Sequence, residues 1–189
     1  MKSKPIPTYS IIYADPPWAY AWGKGKDGGN FAPEKHYPTM STEEIAALPV
    51  KQLRAKNAVC AMWCTGPCLP DAFEIMKAWG FKYKTARFVW VKHNPKSKTI
   101  VTGPGSYTRS ACEYVLLGMR GHIKRISTDP ISQVLTDVRG RHSAKPEIVR
   151  AHLVKLFGDL PRIELFARET TPGWEAWGNQ VESDIKLAA

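Results

Sequence analysis

At 189 residues with 43% hydrophobic side chains, the chain is long enough to bury one well-formed core and leaves little room for a second. Its 27 Lys and Arg against 17 Asp and Glu give a formal charge of +10, which favours a polyanionic partner over an acidic protein or a neutral metabolite alone, with a merely soluble basic protein as the plain alternative. No apolar run approaches the ~20 residues needed to cross a bilayer, and the first ten residues lack the charged-then-apolar order of a signal peptide, so a cytoplasmic protein with no membrane partner is expected.

In chain order, Ser10-Ile11-Ile12-Tyr13-Ala14 is a short apolar, β-rich run that stops at Asp15-Pro16-Pro17, and reads as a buried strand feeding a rigid turn. Residues 19–38 are glycine-rich and polar without a hydrophobic period, which predicts a mobile loop. No Gly-Lys-Ser/Thr follows to make it a phosphate loop. Ser41-Thr42-Glu43-Glu44 ahead of Ile45 and Leu48 is a capped helix start. Strands are then predicted at 58–63 and 86–91, with a helix at 70–79 between them that Gly80 ends.

Residues 92–110 read as a basic, flexible arm, followed by an apolar strand at 113–117 and a short one ending at Val138. An amphipathic helix over 146–157 leads into a last strand at 163–167. Cys60, Cys64 and Cys68 stand four apart, which is not zinc-knuckle spacing, so reduced thiols and no metal site are expected. Strand and helix in alternation predict a single α/β domain over 1–189, its sheet largely parallel with helices on both faces. Ligands in such folds sit beyond the carboxyl ends of the strands, where Asp15 and Arg168 both fall.

Asp15-Pro16-Pro17-Trp18 is the most informative stretch, although aspartate before proline also serves ordinary turns. The N6 of adenine is a poor nucleophile because its lone pair is delocalised into the ring, so a catalyst must hold both N–H bonds and turn the lone pair toward an electrophile. The Asp15 carboxylate can accept one N–H and the Pro16 carbonyl the other, while Pro16 and Pro17 stiffen the loop. Trp18 offers a flat face for an unstacked base. Glu164, in an otherwise apolar strand, is a buried ion-pair residue or a functional acid with equal claim.

These four residues resemble the acceptor motif of the circularly permuted, beta-type adenine-N6 methyltransferases. The nearest branch is the family of the catalytic subunit of the eukaryotic messenger-RNA adenosine methyltransferase, with its small bacterial and phage relatives. The likeness runs on through Tyr37-Pro38-Thr39-Met40-Ser41, Trp63-Cys64-Thr65-Gly66, Trp90-Val91-Lys92, Arg141-His142-Ser143-Ala144-Lys145-Pro146, Glu164-Leu165-Phe166-Ala167-Arg168 and Trp177-Gly178-Asn179-Gln180.

The resemblance implies a Rossmann-like methyltransferase domain in permuted motif order, with S-adenosylmethionine as cofactor. It implies that Lys145 meets the methionyl carboxylate, that Arg168, Asn179 and Gln180 surround the ribose, that Asp15 serves both cofactor and acceptor, and that Tyr37 covers the acceptor pocket. The substrate would be adenine in nucleic acid, DNA favoured over RNA, in a monomer or a homodimer. Ten basic residues lie between Lys82 and Arg125 against the single acid Glu113, and Lys96, Lys98 and Arg109 among them are candidate contacts to a phosphate backbone. A non-catalytic nucleic-acid-binding subunit of the same fold is the competing reading, and a methyltransferase for a side-chain amide is the third. Nicotinamide chemistry lacks its glycine fingerprint.

Overall fold

The run after Thr8 becomes the central strand because it is apolar on both faces. In the computed structural model, which describes residues 7–20, 38–103, 107–138 and 144–187, β1 (Tyr9–Ala14) lies between β2 (Arg54–Cys64) and β6 (Arg162–Leu165), parallel to both. Beyond β2 come β4 (Cys112–Arg120), β3 (Lys82–His93) and β5 (Val134–Val138), and beyond β6 comes β7 (Glu175–Trp177). The seven-stranded sheet has the order β5-β3-β4-β2-β1-β6-β7. Only β4 is antiparallel to its neighbours. From β1 the chain builds outward to one side through β2 and returns later to the other through β6, and such a switch point opens a crevice at the strand ends.

Residues of β1 and β2 alternate between two cores. Ile12, Cys60 and Met62 face α1 (Thr42–Ala47), α2 (Val50–Leu53) and α3 (Leu69–Ala78), whose Ile45, Leu53, Ile75 and Met76 close over them. Ile11, Tyr13, Val59 and Trp63 face α4 (Ile148–Phe157), which contributes Val149, Leu153 and Leu156. Helices thus cover both faces, as expected, three on one side and one on the other. Cys60, Cys64 and Cys68 are buried in the first core as free thiols.

Local sequence sets the helix ends. Ser41 and Glu44 form a reciprocal capping box: the Glu44 amide donates to Ser41 Oγ at 3.2 Å and the Ser41 amide to Glu44 Oε2 at 2.7 Å. Gly80 ends α3 in a left-handed conformation, φ +76°. A side chain there would collide with the guanidinium of Arg54, which donates to the Gly80 carbonyl at 2.6 Å. No helix among the described residues is long and apolar enough to cross a membrane.

The structure departs from the sequence expectation in extent. β2 begins at Arg54 rather than 58, and β3 runs from Lys82 rather than 86, because backbone pairing carries solvent-exposed residues that burial patterning does not mark. α2 and the three-residue β7 were not anticipated; neither is long enough to show a period.

Glu164 resolves into an ion pair. Its carboxylate accepts from Arg150 Nε at 2.7 Å and from the second terminal nitrogen at 3.0 Å, with the two side chains 9% and 11% exposed. Burial pushes the Glu164 carboxyl up despite the guanidinium beside it. Removing one partner of a buried pair strands the other charge, so Glu164→Ala is expected to lower the unfolding free energy by about 3–5 kcal/mol. Replacing both, as Arg150→Met with Glu164→Leu, should restore most of that; urea denaturation of the three variants measures it.

Candidate active site

The carboxyl ends of β1, β2, β6 and β7 and the amino end of the reversed β4 meet on one edge of the sheet. A cavity of about 410 Å³ opens there. Its walls bring together residues far apart in sequence: Asp15, Pro16, Pro17 and Trp18 beyond β1, Cys64 and Thr65 at the end of β2, and Glu113 near the start of β4. Lys145 enters from the segment ahead of α4, Phe166 and Arg168 stand beyond β6, and Trp177, Gly178, Asn179 and Gln180 lie at β7. All four residues expected at the acceptor and all those expected at the cofactor therefore line one cavity.

Its electrostatic centre is Lys145. The ammonium lies 2.9 Å from Asp15 Oδ2 and 3.4 Å from Glu113 Oε2, and 5.6 Å above the ring of Trp63. The other oxygen of Glu113 is taken by Lys92, whose ammonium rests 5.0 Å over Trp90. Trp63 and Trp90 meet edge to face at 6.0 Å. Burial opposes the charge on Lys145, but the two carboxylates outweigh it and hold its pKa above the ordinary lysine value. Burial likewise drives the Asp15 carboxyl up, against the pull of Lys145. Burial acts on Glu113 in the same sense, yet two ammonium groups hold that carboxyl below its usual range. Asp15 is thus the more basic of the two acids, which suits a group that meets developing positive charge.

The acceptor turn is held by backbone bonds. The Trp18 amide donates to the Pro16 carbonyl at 2.9 Å, the Met40 amide to the Pro17 carbonyl at 2.9 Å, and the Ala19 amide to the Met40 carbonyl at 3.3 Å. The Pro16 oxygen keeps its second lone pair. Trp18 is only 6% exposed, sits in the first core, and donates from its indole to the Trp63 carbonyl at 3.1 Å. It presents little of the open face expected of it.

At the far end, Arg168 Nε donates to Gln180 Oε1 at 3.1 Å, joining two of the polar groups assigned to the ribose. Gly178 fits where nothing larger could, since a Cβ would lie 2.1 Å from the Ala167 carbonyl oxygen. Phe166 holds φ at +63°, unusual for a bulky residue, and packs edge to face on Trp177 at 5.4 Å.

Tyr37, most of the predicted loop 19–38, and the Arg141-His142-Ser143 part of the likeness lie outside the described residues. Lys96, Lys98 and Arg109 are exposed and apart from the cavity. Lys96 and Lys98 occupy a tight turn in which the Asn94 amide donates to the Thr99 carbonyl at 2.9 Å and the Val101 amide to the Lys92 carbonyl at 2.8 Å. The ten-residue basic stretch is not one patch. β3 spans twelve residues, roughly 36 Å at strand rise, so Lys82, Lys84 and Arg120 sit at the opposite end of the sheet from Glu113. Glu113, Tyr20, Thr65, Phe166 and Trp177 are site residues that the sequence reading did not assign. For Glu113 the signal was its isolation among bases.

A mostly parallel sheet with an Asp-Pro-Pro-Trp turn beyond its central strand, facing a polar cluster beyond the next, defines a Rossmann-like methyltransferase domain. The MT-A70 family profile matches residues 9–180, and the chain belongs to that family, one of S-adenosylmethionine-dependent N6-adenine methyltransferases. Among its relatives, the type II methyltransferase M.MunI of a Mycoplasma species is 35% identical, the match covering 94% of this chain and 79% of the relative. The N6-methyladenosine RNA methyltransferase MTA1 of Pyricularia oryzae is 29% identical over 93% of this chain and 47% of its own length. The mouse N(6)-adenine-specific methyltransferase METTL4 is 27% identical, over 92% and 38%. The chain thus spans less than half of each of the latter two.

Because the Glu113 pKa is depressed in the folded state, its pairing stabilises the fold fully above the ordinary glutamate range, and that contribution is lost as pH falls through the lower folded value. Glu113→Gln is therefore expected to be less stable than wild type near neutrality and to converge with it in acid. Thermal midpoints recorded between pH 3 and pH 8 test this; a gap that stays constant across the range would count against the ion pairs as its cause.

Proposed function

We propose that the chain binds S-adenosylmethionine in this cavity and methylates N6 of adenine in nucleic acid, DNA ahead of RNA. What carries the reading is the placement of Asp15 and the Pro16 carbonyl in one cavity with Lys145, Arg168, Asn179 and Gln180. The donor set fits the cofactor. An ammonium suits the methionyl carboxylate, side-chain amides donate to and accept from vicinal hydroxyls, and Phe166 with Trp177 offers flat apolar surface beside them. The motif order supports the permuted reading, since the acceptor strand is β1 and the cofactor groups stand near the chain's end.

When bound, the cofactor supplies an electrophilic methyl group on sulfonium. The chain's own residues prepare the nucleophile. Asp15 accepts one N–H of the amine and the Pro16 carbonyl accepts the other, which points the nitrogen lone pair away from the ring plane. As positive charge grows on N6, the carboxylate already in place stabilises it, and its raised proton affinity strengthens that interaction. Lys145, shared between Asp15 and Glu113, keeps both acids from facing each other unscreened.

DNA is placed first because the relative matched over most of its length is named a type II methyltransferase, whereas the one named for RNA is matched over less than half. Tyr37 is retained as a cover for the acceptor and Lys96, Lys98 and Arg109 as contacts to phosphate, on the edge of the sheet where β3 ends near Glu113.

Asp15→Asn, which keeps the shape of the side chain, is expected to reduce methyl transfer at least about a hundredfold while changing cofactor affinity far less. The assay is transfer from labelled S-adenosylmethionine to matched single- and double-stranded DNA and RNA, followed by nucleoside identification. Near-normal turnover in the variant would remove Asp15 from the acceptor role, and a wild type that binds cofactor but transfers nothing would favour the non-catalytic subunit.

Lys96→Glu with Lys98→Glu should weaken binding to many sequences alike and flatten the plot of log affinity against log salt by about one unit for each phosphate no longer neutralised. Cofactor affinity should not move. An unchanged slope would place the nucleic acid on another surface.

A further inference from the structure

We propose that Tyr20, rather than Trp18, is the aromatic platform for the target base, and that its hydrogen bond to Thr65 fixes the platform beside Asp15. The proposal rests on the acceptor role of Asp15 given above.

The aromatic side chains around the cavity are not equivalent. Trp63 is fully buried and Trp18 is 6% exposed, each with its indole N–H committed, Trp63 to the Tyr13 hydroxyl at 2.5 Å and Trp18 to the Trp63 carbonyl. Rings packed this way into a core have no face to offer a base. Phe166 and Trp177 are packed on each other at the β6 and β7 side, next to Arg168, Asn179 and Gln180. Tyr20 is the half-buried ring that lines the cavity on the side of the acceptor turn, two residues beyond Trp18.

Its position is determined at both ends. The backbone around it is tied to Met40 through the bonds at Pro17 and Ala19. The phenol oxygen lies 3.0 Å from Thr65 Oγ1, and Thr65 directly follows β2. The Thr65 hydroxyl in turn donates to Cys68 Sγ at 3.5 Å, at the start of α3. With the threonine proton directed to sulfur, the tyrosine is the donor in the first bond, so the chain of bonds has one direction and the ring one preferred placement. A phenol pinned in this way loses little further freedom when a base settles on it. An apolar ring face also carries no pattern of donors and acceptors, so Tyr20 contributes affinity for an unstacked base while Asp15 and Pro16 distinguish the amine.

The test uses an oligonucleotide that the wild-type protein methylates, and the same oligonucleotide with 2-aminopurine at the target position. Tyr20→Ala is expected to raise KM for the oligonucleotide by roughly tenfold to a hundredfold, the range of one base stacked on an aromatic ring. It should also abolish the quenching of 2-aminopurine that stacking produces, with S-adenosylmethionine affinity by calorimetry unchanged. Tyr20→Phe and Thr65→Val keep the ring and remove the tether. Each is expected to raise KM by about threefold or less, and the two together no more than either alone, since they break one bond. Trp18→Phe should lower the thermal midpoint but retain the 2-aminopurine quenching.

A wild-type KM and intact quenching in Tyr20→Ala would overturn the proposal, as would a loss of cofactor affinity equal to the loss for the oligonucleotide, or quenching lost in Trp18→Phe instead. If Tyr20→Ala does not fold, additive effects of Tyr20→Phe and Thr65→Val would overturn it. A wild-type protein that methylates no adenine at all would instead strike the functional reading on which the proposal rests.

Discussion

The site is organised around one buried ammonium. Lys145 lies among two carboxylates and the face of a tryptophan, and removing such a charge from water is tolerable only when it is matched closely. One lysine between two acids leaves an excess of negative charge, and Lys92 on Glu113 corrects it. The result is a neutral row of four, Lys92, Glu113, Lys145 and Asp15, that runs from the end of β3 through β4 to the end of β1. None of the four can be moved without disturbing the next. That coupling fixes the acceptor carboxylate more firmly than the Pro-Pro turn would alone.

The row depends on the direction of a single strand. β4 runs against its neighbours, so its amino end, with Glu113, reaches the edge where the other strands finish. Laid parallel, β4 would bring Arg120 there, and Lys145 would face a cation. The antiparallel strand is therefore part of the chemistry of the site as well as of the sheet. The same reversal sends Arg120 to the edge remote from the cavity, which is why a run of bases continuous in sequence is divided in space.

Much of this was legible in the chain. Asp15 stood out because an apolar strand ended abruptly in an acid and two prolines, and Lys145, Arg168, Asn179 and Gln180 through motifs that recur together in one family; all five line the cavity. The two cores follow from period-two alternation in β1 and β2. What could not be read was decided by contacts between distant segments. Glu113 was visible as the lone acid among bases, but its partners are set by the direction of β4, which no local pattern records. Trp18 follows the acceptor turn directly, and proximity in sequence said nothing about which way the indole would face. Burial and a hydrogen bond to the Trp63 carbonyl turned it inward. Glu164 was ambiguous until Arg150, a turn into α4, came within reach.

The paired bonds between Pro17, Ala19 and Met40 have a consequence for how such a protein can diversify. They close the chain on itself at a neck, so residues 21–37 leave and rejoin the frame at neighbouring points. A frame closed in this way does not register the length or composition of what is spliced between its ends, because the entropy of closing a longer excursion grows only slowly. The neck therefore behaves as an interchangeable mount: the acceptor turn and its charge row stay constant while the inserted piece is exchanged among descendants, each free to meet a different nucleic acid.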